Sequence, residues 1–192
     1  MSNRNGREFS PKNPGWLSTK VPESYNDNDL MRIIMFYVIN TPCTDLSAKG
    51  IPLSVYGWSG TIWKNDKLKK RLFDIANLKR KESLIIVKRL DEMKDACKKA
   101  NLSKGFQKDR SQERIVIYKP SKYNEFLAIC YHIRNSLAHG RLAMYPIKNS
   151  HDIMFVMEDG VARNSSFEVR ARMILKKSTL LKWIDILEKK VE

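Results

Sequence analysis

The segment from Phe126 to Leu137 constrains the fold most strongly, because its apolar residues recur at helical spacing. When successive residues are placed about 100° apart, Phe126, Cys130, Ile133 and Leu137 fall on one narrow stripe. Such a stripe must face a hydrophobic core, so we predict a helix that packs along this side. Gly140 follows the stripe and is the predicted C-cap.

Three polar side chains of the same helix suit the chemistry of a phosphodiester. The angular positions of Asn135 and His139 are almost opposite the apolar stripe, and Arg134 lies on its flank. We therefore predict that all three face away from the core. His139 also falls in the last turn before Gly140, where a cationic side chain interacts favourably with the helix dipole.

Further helices are predicted on both sides of this segment. A helix that begins near Asn26 is apolar on nearly every side from Leu30 to Ile39 and should be buried. The chain from Asp66 to Cys97 predicts two helices, or one bent helix, that include Leu84–Val87. Ser121 is the predicted N-cap of the motif helix.

The sequence also predicts a small amount of strand. Residues Arg114–Tyr118 form a short strand-like run. Two further runs, Ile153–Met157 and Phe167–Met173, predict a hairpin, and Asp-Gly at 159 and 160 is the candidate turn. Ser178 is the predicted cap of a final amphipathic helix, in which Leu180, Ile184 and Leu187 share one face.

The charge of the chain favours an anionic partner. The formal net charge is +15, from 36 Lys and Arg against 21 Asp and Glu, which favours association with a polyanion such as nucleic acid. A lysine-rich surface with no such partner is an equal alternative on charge alone. Arg141 and three residues of a basic loop, Lys104, Lys108 and Arg110, are candidate nucleic-acid contacts, and each is also compatible with plain surface charge.

The cysteines and the apolar runs restrict the remaining classes. Cys43, Cys97 and Cys130 are an odd number at wide spacing, so neither a disulfide framework nor a zinc site is predicted, and no metal or cofactor is expected. The N-terminus lacks the apolar region of a secretory signal, and no run is long enough to span a bilayer. We expect a cytoplasmic protein with no membrane partner.

The segment Arg134-Asn-Ser-Leu-Ala-His139-Gly, between an apolar helix and Arg-Leu, resembles the R-x4-H motif of the HEPN superfamily. The resemblance covers about residues 126–142. It implies a mainly α fold, a bundle of about four core helices with a small antiparallel β-hairpin before the C-terminal helix. In this scheme residues 1–24 form an extended or partly disordered arm, and residues 25–192 form the helical domain with the hairpin at about 152–174.

The resemblance also implies a function. Many HEPN proteins are metal-independent endoribonucleases of toxin–antitoxin and antiphage (abortive-infection) systems, whose active site is assembled from the motifs of two protomers. It implies RNA as substrate, a homodimer through the motif face, and an antitoxin or other regulatory protein as a candidate partner. Some relatives carry a regulatory tyrosine where this chain has Arg141, which argues against control by tyrosine modification.

The motif residues can perform this chemistry. RNA cleavage without a metal requires attack by the 2′-hydroxyl, proton transfer and positive charge at the developing oxyanion. His139 can protonate the leaving 5′-oxygen, Arg134 offers a planar fork to phosphate, and Asn135 can orient either the hydroxyl or the histidine. DNA, which lacks the 2′-hydroxyl, should resist cleavage.

Two other functions remain open. In the first, the same fold binds RNA or a protein without catalysis, and Arg134 and His139 serve the dimer contact. In the second, Asn26–Leu102 forms a helix-turn-helix regulator of DNA with its turn in Thr44–Ser54, although no basic recognition helix stands out.

Overall fold

The computed structural model describes residues 6–18, 27–58 and 67–189, and over these ranges the protein is a mixed α/β fold. Five α-helices pack around a six-stranded mixed sheet in the described chain. The prediction of a mainly helical, HEPN-like bundle with one small hairpin is therefore wrong. The predicted hairpin forms only the centre of a larger sheet. Some of the other strands of this sheet come from segments predicted to be helix or loop.

The strands form one sheet in the order β2-β3-β6-β5-β4, with β1 beside β6. Strands β2 and β3 are parallel, and the other neighbouring strands are antiparallel. The central strand, β6, pairs with β3, β5 and β1. The strands are β1 Phe9–Pro11, β2 Leu84–Val87, β3 Arg114–Tyr118, β4 Leu142–Pro146, β5 Ile153–Arg163 and β6 Ser166–Lys176.

The two faces of the sheet have different cover. Ile115 and Ile117 of β3 point to one face, which we call the four-helix face because α1, α2, α4 and α5 pack there. Val116 points to the other face, the α3 face, where α3, Phe106 and Trp16 pack. The helices are α1 Asp27–Ile34, α2 Lys67–Ile75, α3 Met93–Lys99, α4 Glu125–Ala138 and α5 Lys177–Glu188.

Several predicted elements are confirmed. Helix α1 continues as a π-helical turn, Met35–Ile39, which ends just before Pro42. Met31 and Met35 are exposed, however, so the prediction that this helix is buried on nearly every side is wrong. Strand β3 has the predicted bounds, and α5 buries Leu180, Ile184 and Leu187 as its amphipathic pattern predicted.

The predicted helix through Leu84–Val87 is wrong. These four residues form β2, in which Leu84 is the register partner of Ile115. A run of four apolar residues has no period of its own, so it fits a buried strand as well as a helix. Pairing with β3 decides between the two.

The predicted hairpin exists, but its turn lies elsewhere. Strands β5 and β6 extend to Arg163 and Ser166, and Asp159 and Gly160 lie inside β5 at a register shift. A Cβ atom at Gly160 would lie 2.1 Å from the carbonyl oxygen of Glu168, so glycine permits this close approach of the strands. The bulge, rather than the turn, explains the glycine.

The described part of the predicted N-terminal arm is attached to the sheet. Phe9–Pro11 pairs with β6, and Arg7 forms an ion pair with Glu168 at 2.6 Å. The rest of the predicted arm, residues 1–5 and 19–24, lies outside the described residues. Among the described helices, none has the length and apolar character needed to cross a bilayer.

Candidate active site on helix α4

Helix α4 carries the sequence motif and is fixed at both ends. Its N-cap is Asn124, whose side-chain oxygen accepts the backbone N–H of Leu127 at 2.9 Å, so the prediction of Ser121 as cap is wrong. At the other end Gly140 adopts a φ of +63°, as the predicted C-cap glycine requires. The predicted apolar stripe is confirmed, because all four of its residues are buried: Phe126, Cys130, Ile133 and Leu137.

His132 is the most constrained polar residue of the helix. Its side chain is fully buried, with Nδ1 2.6 Å from a carboxylate oxygen of Asp159 and Nε2 2.7 Å from the carbonyl oxygen of Tyr118. Because a carbonyl oxygen only accepts hydrogen bonds, Nε2 must carry a proton. A further proton then lies in the contact between Nδ1 and Asp159. This histidine anchors α4 to β3 and β5.

Asn135 extends this contact towards the surface. Its amide nitrogen donates to the same Asp159 oxygen at 3.3 Å, and its amide oxygen accepts from Arg134 Nη1 at 3.2 Å. The other terminal nitrogen of Arg134 donates to the carbonyl oxygen of Leu46 at 3.1 Å. Arg134, Asn135, Asp159 and His132 therefore form one continuous polar chain. The prediction that Asn135 faces outward is wrong, because Asp159 holds its amide.

His139 differs from the other motif residues. Its side chain is exposed at the end of α4, and only its backbone N–H is engaged, by the carbonyl oxygen of Asn135 at 3.0 Å. Among the described residues, no hydrogen-bond partner or ion-pair partner of the imidazole is found. The prediction that His139 faces away from the core is confirmed, and its ring is accessible to solvent.

The segment that holds Arg134 is itself attached to α4. Tyr123 donates its hydroxyl to Asp45 at 2.5 Å, and Cys43 donates its thiol to the carbonyl oxygen of Leu127 at 3.2 Å. The hydrogen bond from Lys122, followed by that from Tyr123, lowers the pKa of Asp45. Burial raises the pKa of the Cys43 thiol to about 12, so this thiol stays protonated and is not a nucleophile at neutral pH.

Arg141, a predicted phosphate contact, is buried on the α3 face of the sheet. It forms an ion pair with Glu158 and stacks over the ring of Phe167, with its guanidinium carbon 3.6 Å from the ring centroid. Glu158 also pairs with Arg172 at 2.9 Å, and Arg172 pairs with Glu8 at 2.5 Å. These contacts hold the terminal nitrogens of Arg141 in the buried layer on that face.

The other predicted contacts lie on the opposite side of the sheet from α4. Phe106, in the same loop, packs in the core of the α3 face, whereas α4 packs on the four-helix face. Arg110 donates to the carbonyl oxygen of Gln107 at 3.0 Å and lies 3.9 Å from the ring centroid of Tyr145. Lys104 and Lys108 are exposed. The structure does not bring this loop together with His139.

A larger basic surface was not singled out from the sequence. Residues 67–104 contain thirteen lysines and arginines against five aspartates and glutamates, and they form α2, β2 and α3 at one edge of the sheet. Most of these cations are exposed, among them Lys70, Arg71, Lys79 and Lys98. The excess of lysine and arginine in this segment is the signal that identifies the surface, whereas its helical periodicity indicates only secondary structure.

Sequence reasoning also missed Asp159, which was assigned to a turn. No local signal marks it, because its partner His132 is 27 residues away in the chain. Within the described ranges, no group of three or more His, Cys, Asp or Glu side chains is placed to hold a metal ion. Comparisons of the chain with family models, curated proteins and solved structures found no match.

The geometry of α4 combines a free imidazole with a fixed guanidinium. His139 can transfer protons at the surface, and Arg134 keeps further N–H groups beyond the two that bond to Leu46 and Asn135. The buried pair of His132 and Asp159 attaches this part of α4 to the sheet. Such a site is suited to a ligand that carries negative charge and needs a proton.

Proposed function

We propose that this protein is a metal-independent endoribonuclease whose reaction depends on His139 and Arg134. The observation that carries the proposal is the exposed, unengaged imidazole of His139 on the same helix as an arginine that neighbouring side chains hold in place. The resemblance of the motif to HEPN ribonucleases supports the same chemistry. The HEPN bundle is not part of the proposal, because the fold is different.

In this reaction the 2′-hydroxyl attacks the adjacent phosphorus and the 5′-oxygen leaves. His139 donates the proton that the leaving oxygen needs, and Arg134 neutralises charge on the phosphate oxygens. Asn135 acts as a positioning residue, since its amide links Arg134 to Asp159. The product is a 2′,3′-cyclic phosphate, and DNA of the same sequence is not cleaved.

A second copy of the chain completes the site in this proposal. The reaction needs a base at the 2′-hydroxyl as well as an acid, whereas α4 presents one exposed imidazole, and its other histidine, His132, is buried. Two copies that meet along the exposed edge of α4 supply two imidazoles. A regulatory protein that covers His139 would silence the enzyme, as expected for a toxin or an antiphage effector.

A second candidate is RNA binding without cleavage, and the exposed basic surface of α2, β2 and α3 favours it. In that case the contacts of Arg134 serve only to attach the segment around Leu46 to α4. RNA would then bind with an affinity that falls steeply with salt and would remain intact.

The test is an RNA cleavage assay in EDTA with the wild-type protein, His139→Ala and His151→Ala. His151 is a matched control, because it is an exposed histidine in the loop before β5. We expect cleavage by the wild type and by His151→Ala, with loss of about 100-fold or more in His139→Ala. Equal rates for all three proteins contradict the enzymatic proposal.

The contribution of a second chain is tested separately. The specific activity of the wild type should rise with protein concentration in parallel with the dimer fraction measured by sedimentation. Activity that stays constant while the protein remains monomeric contradicts the two-chain site. Growth arrest on expression that Arg134→Ala or His139→Ala relieves would support the toxin assignment.

A further inference from the structure

A polar cleft lies at the edge of the sheet, away from the motif. It has a volume of about 590 Å³ and is bounded by the end of α2, the turn before β2, the end of α3, the loop before β3 and the end of β6. This position is at the amino ends of β2 and β3, whereas His132 contacts the carboxyl end of β3 at Tyr118. The cleft is therefore a separate feature from the site on α4.

Four lysines line this cleft, namely Lys79, Lys81, Lys99 and Lys176. Ion pairs formed by other lysines, such as Lys122 with Asp45, are present in the structure, but none is found for these four among the described residues. Lys79, Lys81 and Lys99 are exposed, and Lys176 is half-buried. Four ammonium groups around one cavity, none of them in an ion pair within the described ranges, favour an anionic ligand.

The three acidic residues of the cleft offset only part of this positive charge, and Lys176 interacts electrostatically with one of them, Glu113. Asp109 forms an ion pair with Arg114 at 3.0 Å, and Glu113 accepts the backbone N–H of Lys176 at 2.8 Å. Burial raises the pKa of Glu113, and the nearby charge of Lys176 acts in the opposite direction. The described lining therefore holds four lysines and Arg114 against three carboxylates, Glu82, Asp109 and Glu113.

Arg114 fixes the shape of the cleft. It is 5% exposed, its terminal nitrogens donate to the backbone carbonyls of Ala100, Asn101 and Asp109, and its Nε has no partner within the described residues. The guanidinium therefore joins the end of α3 to the loop before β3. A wall held in this way is formed before any ligand arrives, which lowers the ordering cost of binding.

The backbone around the cleft is also unusual. Among the described residues, three of the five non-glycine positions with positive φ lie in its wall: Asn77 at 48°, Lys81 at 66° and Asn101 at 53°. Asparagine tolerates this conformation, but lysine adopts it less readily. The turn therefore holds Lys81 at the rim in a conformation that it rarely adopts, as is common where a side chain must meet a ligand.

We propose that this cleft binds a nucleotide through its phosphate. The lysines contact the phosphate oxygens, and the amides of Asn77, Asn101 and Gln112 offer both donors and acceptors to the ribose or the base. The volume suits a ligand of this size. No aromatic side chain is found among the described residues of the lining, so the base is held by hydrogen bonds rather than by stacking.

The phosphate can come from a free mononucleotide or from the 5′ end of an RNA strand, and calorimetric titration distinguishes the two. The probes are AMP, adenosine, and one short RNA with either a 5′-phosphate or a 5′-hydroxyl. The RNA titrations use the His139→Ala protein, so that cleavage cannot interfere. Tighter binding of the 5′-phosphorylated RNA than of AMP identifies a strand end, and equal or weaker binding identifies a free nucleotide.

The decisive comparison uses two variants with the same loss of charge. Lys79→Ala/Lys99→Ala changes the cleft, whereas Lys94→Ala/Lys98→Ala removes two exposed lysines of α3 that do not line it. We expect the cleft variant to weaken AMP binding by about tenfold or more for each lysine and the control to leave it unchanged. Adenosine should bind far more weakly than AMP.

Three results would overturn the proposal. They are equal affinity for AMP and adenosine, equal weakening by the two double variants, and no binding of either AMP or the 5′-phosphorylated RNA. Because binding is measured without any need for cleavage, these outcomes leave the proposed role of His139 untouched. Loss of cleavage in His139→Ala likewise says nothing about the cleft.

Discussion

The middle and the last turn of helix α4 each carry a histidine, and the two residues have opposite environments. His132 is fully buried between Asp159 and the Tyr118 carbonyl, whereas His139 is exposed and its ring is unengaged within the described chain. The difference indicates two separate tasks. The middle of the helix attaches the motif to the sheet, and the last turn presents a side chain that is free for chemistry.

The largest expected effect tests the middle of the helix. His132→Ala removes the imidazole from the buried carboxylate of Asp159 and leaves it only the longer hydrogen bond from Asn135, so we expect a loss of roughly 3–5 kcal/mol in the free energy of unfolding. Urea denaturation measures this loss. Equal stability of His132→Ala and the wild type would contradict the structural role that we assign to His132.

A smaller effect is expected for Asp159→Asn. The amide of asparagine can donate to Nδ1 of a neutral imidazole, so both ring nitrogens of His132 keep partners. We expect a loss of about 1–2 kcal/mol by the same measurement, well below that of His132→Ala. A loss as large as that of His132→Ala would show that the charge of Asp159, rather than its hydrogen bonds, holds the helix.

Arg134→Ala should cost about 1 kcal/mol, because it removes hydrogen bonds to Leu46 and Asn135 at a half-buried position. The effect should be local. Hydrogen exchange is expected to speed up in residues 44–57 and to stay unchanged in β5 and β6. Uniform loss of protection throughout the sheet would contradict the assigned contact.

The smallest effect on the fold is expected for His139→Ala. An exposed side chain without partners should change the unfolding free energy by less than about 0.5 kcal/mol.

Thiol labelling gives a second measure, because burial raises the pKa of Cys43 to about 12 and that of Cys130 in the same direction. Maleimide should label both slowly in the wild type and in His139→Ala, but faster in His132→Ala. Fast labelling in His139→Ala would contradict the separation of tasks.

Local patterns predicted α4 well. The apolar stripe, Gly140 as C-cap and the exposure of His139 all follow from helical periodicity and end signals in one continuous segment. The same kind of local pattern predicted α1, α5 and β3. These features depend on neighbours within a few residues, which a single sequence displays directly.

The pairing of segments that are distant in the sequence could not be predicted from local patterns. The pairing of Leu84 with Ile115 decides that Leu84–Val87 is a strand, and no signal inside those four residues identifies the partner. Asp159 was likewise predicted to lie in a turn, because Gly160 follows it in the sequence. In the structure Gly160 permits a β-bulge, and the carboxylate of Asp159 contacts the ring of His132. The motif resemblance then favoured a helical bundle, because it covers α4 and carries no information about the sheet.

The most direct test of the central claim is the rate of RNA cleavage in EDTA by the wild type, His139→Ala and His151→Ala at matched concentration and stability. The account predicts a 2′,3′-cyclic phosphate product from the wild type and from His151→Ala, and a rate about 100-fold or more lower in a fully folded His139→Ala protein. Cleavage by His139→Ala at the wild-type rate, or intact RNA after incubation with the folded wild-type protein, would contradict it.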